Sequence, residues 1–90
     1  MSSESMASVT YDCKTPKGYP FKVTADLVDN WGFQYGNHHG IVIIEESGYE
    51  YGLDARYDSR FSTVEGFYKN ILDVLKDHYA IAEAELVDKQ

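Results

Sequence analysis

Cysteine occurs once, at Cys13, so no disulfide can form within the chain and no cluster of thiolates is at hand for a metal. Long apolar runs are missing too. The longest, Ile41-Val42-Ile43-Ile44, has four residues, whereas a membrane-spanning helix needs about 20. Residues 1–7 lack both the basic start and the apolar stretch of a secretory signal. They are serine-rich and read as a disordered tail ahead of one domain over 8–90, with a cytoplasmic location expected. Basic residues are scarce, eight Lys and Arg against fifteen Asp and Glu, for a net charge of -7. That balance repels nucleic acid and anionic membrane and favours basic protein surfaces, although it also keeps a small protein soluble. What is present is ordinary for a globular domain: 43% hydrophobic and 26% charged residues over a length that holds one core.

Val9, Tyr11 and Cys13 alternate with Thr10, Asp12 and Lys14 over residues 8–14, the period of a strand with one buried face. Thr15-Pro16-Lys17-Gly18 supplies a turn. Alternation resumes over 20–28, with Phe21, Val23, Ala25 and Leu27 on one side. Asp29-Asn30 reads as a second turn, leading into a short aromatic strand of Trp31, Phe33 and Tyr35. Residues 41–46 begin with the apolar run, as expected of a central strand covered on both faces. Ser47-Gly48 reads as a two-residue hairpin connection to a strand in which Tyr49, Tyr51, Leu53, Ala55 and Tyr57 alternate with Glu50, Gly52, Asp54, Arg56 and Asp58.

From Ser62 the period lengthens, and Val64, Tyr68, Ile71, Leu72, Leu75, Tyr79, Ala82 and Leu86 form one helical stripe. Ser62 with Glu65 fits a capping box at its start. The helix extends to about Tyr79. Residues 80–85 have helical propensity, yet Tyr79, Ile81 and Val87 also fit one side of a late strand, and both readings stand. The fold class expected is α+β, an antiparallel meander of four to five strands packed against one long C-terminal helix.

No constellation points to catalysis. His38-His39 lies between Gly36 and Gly40 in what reads as a loop, where adjacent imidazoles point apart and His78 is remote, so the pair suits polar contacts better than a metal. Cys13 falls inside a strand, where a thiol is usually inert packing, and no serine stands in a nucleophile elbow. No catalytic residue, metal or cofactor is expected. Residues 42–58 hold five acids against one base, Arg56, in the company of several of the eight tyrosines. Tyrosine offers rigid contact area with a polar tip, so this composition suits a basic partner surface. The candidate contact residues are Glu45, Glu46, Glu50, Asp54, Asp58, Tyr49, Tyr51, His38 and His39. Glu50, Asp54 and Asp58 would project about 13 Å apart along a strand, an imperfect DNA mimic interrupted by Arg56.

At Trp31-Gly32-Phe33, His38-His39-Gly40, Gly48-Tyr49-Glu50-Tyr51-Gly52-Leu53 and the helix that follows, the order of elements resembles small phage anti-CRISPR inhibitors of Cascade-type surveillance complexes. The resemblance covers about half the chain, and the interval between the Trp and the His pair is shorter here. It implies a protein that docks on a nuclease complex and blocks target binding or recruitment of a cleaving subunit, without cofactor or catalysis. His38, His39, Tyr49 and Tyr51 are the contact positions it implies. The expected function is thus a non-enzymatic inhibitor of a basic, nucleic-acid-handling protein complex, acting as a monomer or homodimer without touching nucleic acid or membrane directly. A homo-oligomeric structural protein is the alternative, and a metal module built on His38 and His39 is a third reading.

Overall fold

The computed structural model describes residues 4–31 and 38–90. One antiparallel sheet contains β1 (Glu4–Lys14), β2 (Pro20–Trp31), β3 (His38–Glu45), β4 (Glu50–Asp54) and β5 (Glu83–Lys89); a single 3-10 turn (Ser59–Phe61) and α1 (Val64–His78) intervene between β4 and β5. The spatial order is β4-β3-β2-β1-β5. The first four strands therefore form the expected meander, and α1 carries the chain back over the sheet so that β5 can pair with β1. Among the described residues, no helix is long and apolar enough to cross a membrane.

The two faces of the sheet differ because strand side chains alternate. Val9, Cys13, Val23, Ala25, Leu27, Ile41 and Ile43 are buried on one face together with Phe67, Ile71, Val74 and Leu75 of α1 and Phe61 of the 3-10 turn. The strand partners Val9↔Ala25 and Ala25↔Ile43 place these side chains side by side under the helix. Burying a side chain such as Leu or Phe contributes about 1.5–3 kcal/mol, so this layer supplies most of the driving force. The other face carries Thr10, Thr24, Val42 and Ile44, all half-buried, with no helix over it among the described residues; the Thr10 and Thr24 hydroxyls meet at 2.9 Å. Where the sequence suggested cover on both faces, Ile41 to Ile44 is covered by a helix on one face only among the described residues.

The outer face is instead partly roofed by Trp31. Asn30 takes a positive φ of 56°, and the register slips between Val28 and Trp31. The turn expected at Asp29-Asn30 is therefore a bulge within β2, and it delivers Trp31 to the same face as its strand partner His38. The indole lies where side chains at Gly40 and Gly52 would otherwise stand. Phe33 and Tyr35 of the expected aromatic strand lie outside the described residues.

The hairpins β1–β2 and β3–β4 turn in the same way. Gly18 N–H donates to Thr15 O at 2.8 Å while Thr15 N–H takes Tyr19 O at 2.9 Å; Gly48 N–H donates to Glu45 O and Glu45 N–H to Tyr49 O, both at 2.8 Å. Gly18 and Gly48 have φ of 87° and 95°, so each connection is a turn closed by a left-handed glycine. Three residues thus separate Glu45 from Tyr49, one more than the two-residue reading of Ser47-Gly48.

Three further boundaries move. β1 begins at Glu4, so residues 4–7 belong to the sheet and not to a tail: Glu4 pairs with Asp29, and Ala7 is buried in the core. β4 ends at Asp54, since Ala55 N–H turns to His39 O and the chain folds into the 3-10 turn. The helix cap is Thr63, whose hydroxyl accepts from Gly66 N–H at 3.1 Å, while Ser62 Oγ donates to Ser59 O. At the other end Tyr79 is extended (φ -133°, ψ 142°), and residues 83–89 form a strand. Ala82 and Leu86 accordingly drop out of the helical stripe. The helix is followed by an edge strand, whose register with β1 shifts between Thr10 and Tyr11 and whose Leu86 and Val87 are exposed.

Candidate functional site

The structure divides the residues singled out in the sequence among four environments. Glu50 and Asp54 stand on the outer face of β4. Asp54, however, accepts from Arg56 N–H at 2.9 Å and from the Arg56 guanidinium at 3.0 Å. The amide bond first, and then the guanidinium, hold its carboxyl below the usual range. Asp58 has left the strand: it caps the 3-10 turn through Arg60 N–H and meets the Arg60 guanidinium at 2.8 Å. Two of the three acids in the supposed row are thus matched by local arginines, and the row is not a continuous negative stripe.

His38 and His39 lie on β3 and not in a loop, and the pleat turns them to opposite faces. The His38 ring meets Trp31 edge-on at 5.7 Å, with its Nε2 3.6 Å from Asp54. His39 Nδ1 is 2.7 Å from Phe61 O, tying β3 to the 3-10 turn, and its Nε2 is 3.8 Å from Asp29. Among the described residues, no three of His, Cys, Asp and Glu gather as a metal site would require. A small cavity of about 250 Å3 does open beside the histidines, between Asp29, Arg56 and Asp58.

Glu45 and Tyr51 point to the helix side and meet Tyr79, which was not among the contact candidates of the sequence. The Tyr51 hydroxyl donates to Tyr79 Oη at 3.1 Å, and the Tyr79 hydroxyl donates to Glu45 Oε2 at 2.8 Å. The Tyr79 ring packs against Phe21 with centroids 5.6 Å apart. Burial first, and then these hydrogen bonds, push the Tyr79 phenol far above the ordinary tyrosine range, so it stays a donor. Tyr49 is exposed and leans on Tyr51 at 5.8 Å.

Tyr79 and Glu45 of this network line a cleft of about 380 Å3, together with Tyr19, Phe21, Lys22 and Glu46. A second cleft of about 580 Å3 adjoins it, shares Pro20, Phe21, Lys22 and Glu46, and adds Asp12, Lys14, Glu83 and Glu85. Carboxylates from β1, β3, the β3–β4 turn and β5 therefore converge at the end of the sheet where β2 begins. Of the sequence candidates, only Glu45 and Glu46 line these clefts. Asp12, Glu83 and Glu85 escaped notice because strands far apart in sequence bring them together. Cys13 also borders the second cleft, but it is buried, and burial and then Asp12 raise its thiol pKa, which leaves it a poor nucleophile.

The architecture is an α+β protein: a five-stranded antiparallel sheet, its first four strands a meander, with one α-helix among the described residues lying across one face. Compared with protein-family models, with curated proteins and with solved structures, the chain matches none.

Proposed function

We propose that this protein is a non-enzymatic inhibitor that binds a basic surface on a nucleic-acid-handling protein complex and acts by occupying it. One observation carries the reading. The two adjoining clefts are lined by five carboxylates, Asp12, Glu45, Glu46, Glu83 and Glu85, against two lysines, Lys14 and Lys22. Carboxylates drawn from four places in the chain and set beside exposed aromatic surface suit a cationic partner, because complementary charge steers encounter and rejects wrong partners. Lys22 is turned toward Asp12, 3.8 Å away, which leaves the excess negative. The resemblance to anti-CRISPR inhibitors names the target class to try first, a Cascade-type surveillance complex.

The test is capture on the immobilised protein at low and high salt, after nuclease treatment so that no nucleic acid bridges the two partners. Capture should weaken as salt rises and should be lost on double charge reversal, Glu46→Lys with Glu85→Lys. Capture that survives the reversal overturns the proposal. The equivalent reversal at Glu50 and Asp54 reports whether the outer face of β4 takes part.

A further inference from the structure

We infer that the cleft between Phe21, Tyr79 and Glu45 receives the guanidinium of an arginine side chain projecting from the partner. The inference rests on the proposed function, of which it names the central contact. Three features of the cleft converge on this ligand. Its lining includes two aromatic rings, Phe21 and Tyr79, packed on each other at 5.6 Å with a tilt of 32°, a surface beside which a cation is favoured. Its carboxylates, Glu45 and Glu46, come from consecutive positions at the end of β3 and the start of the turn. Its volume of about 380 Å3 lies at the low end of the ~300–1,000 Å3 typical of small-ligand sites, which suits one long side chain.

The choice of arginine follows from the chemistry of the walls. An aromatic-lined recess favours a cation that is weakly hydrated and planar, with an aliphatic stem to lie along the rings; guanidinium meets that description better than ammonium. It also forms paired N–H bonds to a carboxylate, which a single ammonium does not. The Tyr79 hydroxyl takes one of the acceptor positions on Glu45 and fixes the carboxylate in the wall. Tyr51 in turn fixes Tyr79, so the receptor is organised before the ligand arrives, which lowers the entropy lost on binding.

The experiment is an NMR titration of the intact protein with N-acetyl-arginine methylamide, with its lysine counterpart and with its uncharged citrulline counterpart. The arginine compound should give saturable shifts at Phe21, Glu45 and Tyr79. The lysine compound should bind more weakly, and citrulline should not saturate. Glu45→Gln should weaken arginine binding by about tenfold, in keeping with the loss of a charge-assisted bond, while Glu65→Gln on the helix leaves it unchanged. Phe21→Leu, with circular dichroism to confirm folding, should weaken it as well. Equal responses to arginine and citrulline, equal binding of lysine, or indifference to Glu45→Gln would each overturn the inference. The titration contains no partner protein, so its failure leaves the charge-reversal test standing; capture that survives the charge reversal, with an intact arginine site, would reject the partner reading alone.

Discussion

The hydroxyl of Tyr79, at the end of α1, donates to the carboxylate of Glu45, at the end of β3, across 34 positions of sequence and a distance of 2.8 Å. This bond ties the helix to the meander at the mouth of the aromatic cleft. Tyr79→Phe keeps the ring on Phe21 but removes both the donor to Glu45 and the acceptor for Tyr51. A hydrogen bond to a charged acceptor contributes about 1.5–3 kcal/mol, and partial exposure places the expected loss near the lower value. Urea denaturation of Tyr79→Phe, Glu45→Gln and the double variant measures it, and a coupling near zero between the two positions would show that the bond contributes nothing.

Alkaline titration tests the same network differently. The folded-state pKa of Tyr79 is raised, whereas an unfolded tyrosine ionises near ~10. The folded state therefore holds its proton more tightly. The stabilisation is fully present below about pH 10 and is lost as pH rises from there toward the folded value. Tyrosinate absorbance should show Tyr79 resisting ionisation over that interval, and Tyr79→Phe should lose less stability there than the native protein.

Helix capping offers a direct contrast between adjacent residues. Thr63 supplies the cap to Gly66 N–H, whereas the Ser62 hydroxyl bonds Ser59 O within the preceding turn. Thr63→Ala should cost about 1 kcal/mol, and Ser62→Ala should stay within about 0.5 kcal/mol. Thermal melts of the two variants decide it, and the reverse ranking would move the cap to Ser62.

Gly52 is required by Trp31. A side-chain carbon at residue 52 would come within 2.8 Å of the indole, and the ring is rigid, so Gly52→Ala must displace it. Overpacking of this kind costs about 1–3 kcal/mol. The chain has one tryptophan, so its emission should shift to the red in the variant as the indole leaves the sheet; an unchanged spectrum would place the indole elsewhere.

Much of the fold was legible because each strand with one buried face alternates, as Val23, Ala25 and Leu27 do, and because α1 repeats every three to four residues. The missed elements share a cause: a tertiary contact overrides the local signal. Residues 80–85 favour helix on their own, but the extended backbone at Tyr79 ends α1, and Ala82 N–H donates to Lys14 O as β5 joins β1. Asn30 looked like a turn because asparagine readily takes the left-handed conformation; here it does so inside a strand. The acids were legible in composition but not in place. Asp54 and Asp58 stood out in one segment and proved to be matched by Arg56 and Arg60, whereas the carboxylates that share the clefts come from separate strands.

The pairing of β5 with β1 also sets an order of events. Val9 faces Lys89, so closing that ladder encloses most of the chain in a single loop, and the entropy of closure grows with its length. The β1–β2 and β3–β4 hairpins close over a few residues and have no such handicap. β5 is therefore expected to be acquired last and to open first, with amide exchange at Ala82 and Gln90 faster than at Ala25 or Ile43. Because Glu83 and Glu85 ride on that strand, the second cleft would then open and close with β5, while the cleft built on Phe21 and Glu45 belongs to the slower-exchanging meander.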